Sequence, residues 1–205
     1  MSAAPRMTFT GLWPTFLLSR RLPGFEKPTA DLAAYIADQE GREKDYTARY
    51  QEQGLFSIDR PSVRWLKEHI EQTALGFLGH VGLRGNLSWT LMGWYNTNRL
   101  GDHHAPHTHP RSYLSGTYYV RVPAPPAGVE DPRARPGCIS FYDPRTGANM
   151  VAAGTEYDAR AAHTVLPSAG LLMMWPSPVQ HYVHPNLSEE HRVSISFNLV
   201  NVRPA

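Results

Sequence analysis

The spacing of apolar residues divides the chain into a helical first part and a strand-rich second part. Apolar side chains repeat at three- and four-residue steps from about residue 61 to 79, and Pro61 suits the first position of a helix. The repeating positions are Val63, Leu66, Ile70, Ala74, Phe77 and Leu78. A shorter helical repeat follows Thr29, which is a candidate N-cap. The polar stretch 38–54 is typical of a solvated helix end and loop.

From residue 86 the hydrophobic period changes to that of β-strands, and proline and glycine separate short segments. The predicted strands are Leu87–Tyr95, Leu114–Val122, Cys138–Tyr142, Thr164–Leu166, Leu171–Trp175, His181–Val183 and Arg192–Val200. Leu12–Leu18 is either an early strand or an apolar arm over a sheet edge. This pattern predicts an antiparallel barrel or sandwich preceded by helices. We expect one domain, residues 1–205, with a helical flank to about residue 85 and a β core over about 86–205.

Composition narrows the class of protein. Hydrophobic residues make up 41% of the 205 residues and charged residues 19%, which is a globular balance. A net charge of +2 without a run of lysine and arginine gives no reason to expect nucleic acid. No apolar run approaches the roughly 20 residues that a membrane span needs. The single cysteine, Cys138, excludes an intramolecular disulfide. The N-terminal residues also show no apolar segment of a secretory signal. Together these observations predict a reducing, cytoplasmic compartment and no membrane partner.

Histidines form the most distinctive cluster. Four of the ten lie between His103 and His109. On a strand, His107 and His109 would project to the same side and could hold one metal ion. A third histidine from a distant strand would complete the set, and His181 is the best candidate. Three protein ligands leave coordination positions open, which is typical of a metal that carries out chemistry.

The other histidines are weaker candidates. His103 and His104 are most simply loop residues, or at most groups behind the metal ligands. His184 follows His181 by three positions and therefore lies on the opposite strand face, so His181 is preferred. The remaining four have no partner at ligand spacing: His69, His80, His163 and His191.

Arg192 enters an apolar strand eleven residues after His181, with Ser194 on the same face. A guanidinium can bind a carboxylate through two hydrogen bonds, and the serine hydroxyl adds a third donor. A structural salt bridge is the alternative. In either case an arginine among apolar residues needs a partner.

The ordered set of His-x-His, a distal His and Arg-x-Ser resembles the iron(II)- and 2-oxoglutarate-dependent oxygenases, whose core is a double-stranded β-helix of the jelly-roll, cupin-like kind. Over about residues 86–200 the chain is similar to a subgroup of these oxygenases in bacteria and phages. The segments that carry the resemblance are His107–Pro110, Leu114–Val120, Ile139–Arg145, Pro167–Gly170, His181–Asn186 and Arg192–Asn198.

The resemblance implies both a fold and a mechanism. The protein would be mainly β with flanking N-terminal helices around a double-stranded β-helix. His107 and His181 would bind Fe(II), and Arg192 with Ser194 would hold the distal carboxylate of 2-oxoglutarate. Decarboxylation to succinate would accompany oxidation of a substrate, most often hydroxylation. Tyr95 and Tyr118 are further candidates for contact with the co-substrate. The substrate would be a small molecule or a peptide, and these residues do not indicate which.

One position departs from the family pattern. The family has Asp or Glu where this chain has His109, so the third ligand is either His109 or a carboxylate from elsewhere, such as Asp102 or Asp143. Three neutral imidazoles would leave iron one charge more positive than the usual two-His-one-carboxylate set. The metal set predicted here is His107, His109 and His181.

Two other readings remain open. A cupin-type dioxygenase or isomerase would use three histidines without 2-oxoglutarate, and Gly101 stands at the spacing of the first cupin motif. The glutamate of that motif is missing, because Tyr113 and Leu114 stand in its place, and Arg192 would have no role. A non-catalytic barrel holding zinc or nickel is the other reading. The helical part would either cover one sheet or form the surface of a homodimer.

Overall fold

The computed structural model describes residue 10 and residues 12–42, 54–124, 128, 137–145 and 162–205. The polar stretch predicted over 38–54 and the loop before Cys138 fall largely outside the described residues. The elements in chain order are β1 (Leu18–Arg21), α1 (Glu26–Arg42), a 3-10 turn (Leu55–Ser57), α2 (Pro61–His80), β2 (Leu87–Asn98), β3 (His104–His107), β4 (Leu114–Arg121), β5 (Ile139–Tyr142), β6 (Ala162–Val165), β7 (Leu171–Pro176), β8 (His181–Val183) and β9 (Arg192–Pro204).

The strands form two antiparallel sheets. One has five strands in the order β1-β7-β4-β9-β2, and the other has four in the order β3-β8-β5-β6. Apolar side chains from both sheets meet in a shared core: Tyr119, Ile139, Phe141, Met173, Trp175, Val179 and Val183. From β2 to β9 the chain passes repeatedly from one sheet to the other, and among the described strands in that range β5 and β6 are consecutive in the same sheet. This is the arrangement of a double-stranded β-helix. The predicted fold class is therefore confirmed.

The two helices cover the outer face of the five-stranded sheet. All six apolar positions predicted for the second helix are buried there, and α2 begins at Pro61 as its sequence indicates. The first helix begins at Glu26, three residues before Thr29, so Thr29 is not its N-cap. Its hydroxyl instead makes a buried hydrogen bond with the phenol of Tyr118 on the sheet beneath. No helix in the described part of the chain is long and apolar enough to cross a membrane.

The N-terminal arm reaches the sheet only at its end. Leu18 begins β1 and pairs with Met174 at the edge of the five-stranded sheet, whereas residues 12–17 form no strand.

Gly116 lies in the middle of the same sheet, where a Cβ atom would stand 2.2 Å from the Phe197 ring. Glycine is therefore needed at this position so that β4, β7 and β9 can lie close together.

Strand register brings the two halves of the predicted site together. His107 at the end of β3 lies opposite His181 at the start of β8. In the other sheet, Asn98 at the end of β2 lies opposite Arg192 at the start of β9. Residues that are 74 and 94 positions apart in the sequence thus become direct neighbours.

Candidate metal and co-substrate site

Three histidines form a group with metal-binding geometry. One ring nitrogen from each of His107, His109 and His181 lies within 4.8 Å of the others. The ring centroids of His107 and His181 are 4.3 Å apart, and each is 5.1 Å from that of His109. The structure therefore assembles the three histidines that the sequence selects.

The position of His109 differs from its expected place on a strand. The β3 strand ends at His107, and His109 enters the site from the turn that follows. Its backbone N–H donates to the carbonyl of Ser177, 3.2 Å away, and its ring lies 5.9 Å from that of Trp94. A backbone contact with the loop before His181 thus fixes this ligand candidate, rather than strand pairing.

Backbone carbonyls orient two of the imidazoles. Nδ1–H of His107 donates to the carbonyl of Ala105 at 2.7 Å, and Nδ1–H of His181 donates to that of Val179 at 3.1 Å. In both cases the acceptor lies two residues earlier. With the proton on Nδ1, the lone pair of Nε2 is free for a metal ion, as is usual for metal-bound histidine.

Burial keeps the imidazoles of His109 and His181 unprotonated. It lowers the pKa of His109 to about 4 and that of His181 to about 3, and the neighbouring His107 lowers both further. Neutral imidazole is the form that binds a metal ion. At neutral pH, His109 and His181 need not lose a proton before they coordinate.

The three histidines open into a cavity between the two sheets that also contains Arg192 and Ser194. Arg192 is 2% exposed. One terminal nitrogen of its guanidinium donates to Oδ1 of Asn98 at 3.1 Å and approaches Oγ of Ser194 at 3.5 Å. Burial lowers the pKa of Arg192, and among the described residues no Asp or Glu pairs with it. A buried cation without a counter-ion is costly, so this site favours an anionic ligand.

Several buried polar atoms in the cavity have no hydrogen-bond partner within the described residues. They are Asn96 Oδ1, Tyr119 OH, Trp175 Nε1 and Arg192 Nε, and all four residues line the cavity. Burial raises the pKa of Tyr119 to about 12, so its phenol stays protonated and can donate. Three of the four atoms are donors, which is the complement of a ligand rich in oxygen acceptors.

Tyr95 and Tyr118 lie on the other face of the same sheet and do not line the cavity. Both are buried in the core beneath the helices, where Tyr118 contacts Thr29 and stands 6.0 Å from Trp65. The expectation that these tyrosines reach the co-substrate is therefore corrected. The inward-facing aromatic residues are their neighbours, Trp94 and Tyr119, because side chains alternate between faces along a strand.

His104 and Asn98 also belong to the site. The sequence indicated His104 only as a loop residue or at most a group behind the metal ligands, and it did not indicate Asn98. His104 begins β3 and lines the cavity, whereas the adjacent His103 is exposed. Nε2 of His104 accepts a 3.3 Å hydrogen bond from the side-chain amide of Asn98, and burial lowers the pKa of His104 to about 4. His104 follows His103 in a histidine-rich segment, and this local sequence gave no signal for the contact with Asn98.

The alternative ligands have other partners. Asp102 accepts from the backbone N–H of Arg99 at 2.8 Å. Asp143 pairs with Arg145, whose hydrogen bonds lower the pKa of Asp143 to about 2. His184 lies 2.7 Å from the hydroxyl of Ser140. Over the residues that the structure describes, the group with metal-binding geometry contains neither carboxylate nor His184.

Comparisons with known proteins agree with this geometry. Residues 92–198 match the family described as "Putative 2OG-Fe(II) oxygenase". Because the match spans more than half of the chain, the protein belongs to this family of iron(II)- and 2-oxoglutarate-dependent oxygenases. It is thus an oxidoreductase whose metal is Fe(II) and whose co-substrate is 2-oxoglutarate. A comparison with curated protein sequences gives no match.

Solved structures share the fold at low sequence identity. A prolyl-4-hydroxylase of Pseudomonas putida has a TM-score of 0.61 and 16% identity, with 90% of this chain and 91% of that chain covered. The α-ketoglutarate-dependent carbocyclase SnoK of nogalamycin biosynthesis has a TM-score of 0.57 and 16% identity, over 89% and 78% of the chains. HygX of Streptomyces hygroscopicus, solved with nickel and 2-oxoglutarate, has a TM-score of 0.53 and 12% identity, over 91% and 82%.

Proposed function

We propose that this chain hydroxylates a small-molecule or peptidyl substrate with Fe(II) bound by His107, His109 and His181 and with 2-oxoglutarate anchored by Arg192 and Ser194. The observation that carries the assignment is the buried guanidinium of Arg192, which has no carboxylate partner among the described residues and shares one cavity with the three imidazoles. A dianion such as 2-oxoglutarate suits this cavity, because its oxo-acid end can bind a metal ion on the histidines and its distal carboxylate can bind Arg192.

The residues present fit the metal and the co-substrate. Imidazole nitrogen is a suitable ligand for iron, and the Nε2 atoms of His107 and His181 are free because Nδ1 is bonded to the backbone. Nε of Arg192 is buried without a partner inside the described structure and is therefore ready to bind a carboxylate oxygen. When bound, iron and 2-oxoglutarate supply the oxidation: O₂ is consumed, 2-oxoglutarate yields succinate and CO₂, and one oxygen atom is added to the substrate.

The protein's own contribution is binding, orientation and exclusion of water. Arg192 supplies a positive charge and a fixed set of donors for the distal carboxylate, and Tyr119 adds a phenol donor next to the guanidinium, whose carbon is 5.1 Å from the Tyr119 ring centroid. Trp94 and Trp175 form apolar walls beside His109 and His181. Such walls keep the cavity poor in water, so that the charge on Arg192 is little screened.

The ligand set gives this site an unusual charge. Three neutral imidazoles contribute no negative charge, and Asp and Glu are missing from the cavity lining over the described residues. The site is therefore one charge more positive than a two-His-one-carboxylate site. We expect it to bind anions, including the co-substrate, more tightly for that reason.

A second candidate is a cupin-type dioxygenase or isomerase that works without 2-oxoglutarate, and the three-His ligand set is the observation that favours it. A barrel that only binds metal is the non-catalytic version of this alternative. Neither explains why an arginine without a counter-ion within the described residues is buried beside the histidines.

For the compartment we propose the cytoplasm, because Fe(II) and the single buried thiol of Cys138 suit reducing conditions.

The test is anaerobic binding of Fe(II) and 2-oxoglutarate, followed by the visible charge-transfer band of the chelate. We expect the band in the wild type. We also expect the Arg192→Ala variant to require much more 2-oxoglutarate for the same band. If the wild type binds iron but shows no band at any 2-oxoglutarate concentration, the oxygenase assignment fails and the cupin-type or binding-only alternative replaces it.

A further inference from the structure

A chain of hydrogen bonds leads from the cavity wall to the guanidinium of Arg192. Oδ1 of Asn98 accepts from Arg192 at 3.1 Å, and the amide nitrogen of Asn98 donates to Nε2 of His104 at 3.3 Å. Asn98 is 1% exposed and lies directly opposite Arg192 in the sheet. His104 and Asn98 thus form a fixed connection from the start of β3 to the anchor arginine on β9.

The donors and acceptors of the three side chains determine the direction of each hydrogen bond in this series. Arginine has only donors, so the atom of Asn98 that faces Arg192 must be its carbonyl oxygen. The amide nitrogen then points to His104, whose Nε2 must carry a lone pair and whose proton must therefore be on Nδ1. The three side chains have one consistent arrangement, in which His104 holds the amide and the amide holds the guanidinium.

The backbone of Asn98 is fixed as well. The side-chain amide of Asn186 donates to the carbonyl of Asn98 at 3.0 Å and to that of Glu190 at 2.8 Å. Asn186 is 3% exposed and joins the end of β2 to the loop that leads into β9. Asn186 therefore ties the backbone of Asn98 to the segment that leads into Arg192.

We propose that Asn98, oriented by His104, is a positioning residue for the co-substrate; this inference rests on the proposed function. Asn98 accepts a hydrogen bond from one terminal nitrogen of Arg192, while Nε of the same guanidinium has no partner within the described part of the chain. This arrangement leaves the Nε edge of the guanidinium for the carboxylate of the ligand. Pre-orientation of a flexible arginine lowers the entropy lost when a carboxylate binds.

The test is calorimetric titration of the Fe(II)-loaded protein, without oxygen, with 2-oxoglutarate and with pyruvate. Pyruvate has the oxo-acid end but no distal carboxylate, so it does not need Arg192. We expect Asn98→Ala to weaken 2-oxoglutarate binding about tenfold or more, since a hydrogen bond to a charged group is lost. Pyruvate and Fe(II) affinity should change by no more than about twofold, because neither ligand touches Arg192.

Three further substitutions, at Asn98 and His104, separate positioning from a structural role. Asn98→Asp keeps the shape but places a carboxylate against Arg192, where it competes with the distal carboxylate of the ligand. We expect it to weaken 2-oxoglutarate binding more than Asn98→Ala does, without lowering the thermal midpoint. His104→Ala should weaken binding, whereas His104→Gln, whose amide oxygen can accept from Asn98, should restore it in part. The exposed neighbour His103 provides the control, and His103→Ala should bind 2-oxoglutarate like the wild type.

The possible failures are distinguishable. If the wild type and Arg192→Ala show no difference in 2-oxoglutarate affinity, the proposed function itself is wrong. If Arg192→Ala loses affinity while Asn98→Ala and Asn98→Asp keep it, the positioning role of Asn98 is overturned and the oxygenase assignment stands. Equal losses for 2-oxoglutarate and pyruvate would also overturn the positioning role, since they would indicate general damage to the site.

Discussion

His107 and His181 lie directly opposite each other across the β3–β8 pair, with ring centroids 4.3 Å apart and with Nδ1 of each bonded to the carbonyl two residues earlier. The strand pairing therefore brings the two ligand candidates together, and the backbone hydrogen bonds determine that each presents Nε2. His109 joins them from a turn. The site thus combines two ligands fixed by the sheet with a third fixed by a loop.

The loop ligand is the one that substitution tests most clearly. We predict that His109→Ala weakens Fe(II) binding at least about 100-fold, more than is usual when only an outer partner of a ligand is lost. His109→Asp should retain iron, because a carboxylate is an accepted ligand at this position in iron oxygenases. Iron content after desalting and a competitive titration measure both effects.

His184→Ala is the matched control for the iron measurement, since His184 bonds to Ser140 and lies outside the three-histidine group. It should bind iron like the wild type. Full iron affinity in His109→Ala would show that a carboxylate from elsewhere is the third ligand.

Replacement of Arg192 should separate stability from co-substrate binding. Burial disfavours the charged form of Arg192 and lowers its pKa, and no carboxylate within the described residues compensates for that cost. We predict that Arg192→Met keeps the thermal midpoint of the wild type but loses 2-oxoglutarate binding, because an apolar side chain of similar length avoids the desolvation of a buried charge. Calorimetry and thermal unfolding of the same samples test this. A large drop in the midpoint would mean that Arg192 is mainly structural.

Replacement of the two adjacent tyrosines on β4 should affect different properties, stability in one case and 2-oxoglutarate affinity in the other. Tyr118→Phe removes the buried hydrogen bond to Thr29 and should lower the free energy of unfolding by about 1 kcal/mol without changing 2-oxoglutarate affinity. Tyr119→Phe removes a phenol that has no partner among the described residues, so it should leave stability nearly unchanged and weaken 2-oxoglutarate binding. Urea unfolding and calorimetry of the two variants measure the contrast. The same phenotype in both variants would contradict the placement of Tyr118 under the helices and of Tyr119 in the cavity.

The metal-free protein should lose stability as the pH falls. Burial lowers the pKa of His104 and His109 to about 4 and that of His181 to about 3, from an ordinary value of 6.5. Below pH 6.5 the unfolded chain therefore binds more protons than the folded protein, so stability is complete above about pH 6.5 and declines from there toward about pH 4. Urea midpoints at about pH 7.5 and about pH 5 measure the decline, and His104→Gln, with one fewer such group, should show a smaller one. A midpoint independent of pH would contradict the burial of these imidazoles.

Two pairs of site residues could be predicted from the sequence because the spacing within each pair is local. His107 and His109 are two residues apart, as are Arg192 and Ser194, and each pair reaches the cavity. His181 was preferred to His184 on the alternation of strand faces, and the structure places His181 in the three-histidine group.

Which face of each strand points inward could not be predicted. Strand β4 is buried on both faces, and so is the second half of β2, so aromatic residues occur on both sides of the sheet. With no polar face to set the phase, Tyr95 and Tyr118 were as plausible as Trp94 and Tyr119.

The partners of Arg192 required the register between strands. Asn98 lies 94 residues before Arg192, and His104 contacts Asn98 from the other sheet. An asparagine at the end of one strand and a histidine at the start of another have no periodic pattern that indicates such a contact. Long-range pairing, rather than local sequence, completes the site.

The most direct measurement is a crystal structure of the protein prepared without oxygen in the presence of Fe(II) and 2-oxoglutarate. We predict that the metal lies on His107, His109 and His181 and that the distal carboxylate of 2-oxoglutarate is hydrogen-bonded to the guanidinium of Arg192. A metal ion bound by a carboxylate of the protein in place of His109, or a distal carboxylate that does not contact Arg192, would contradict the account.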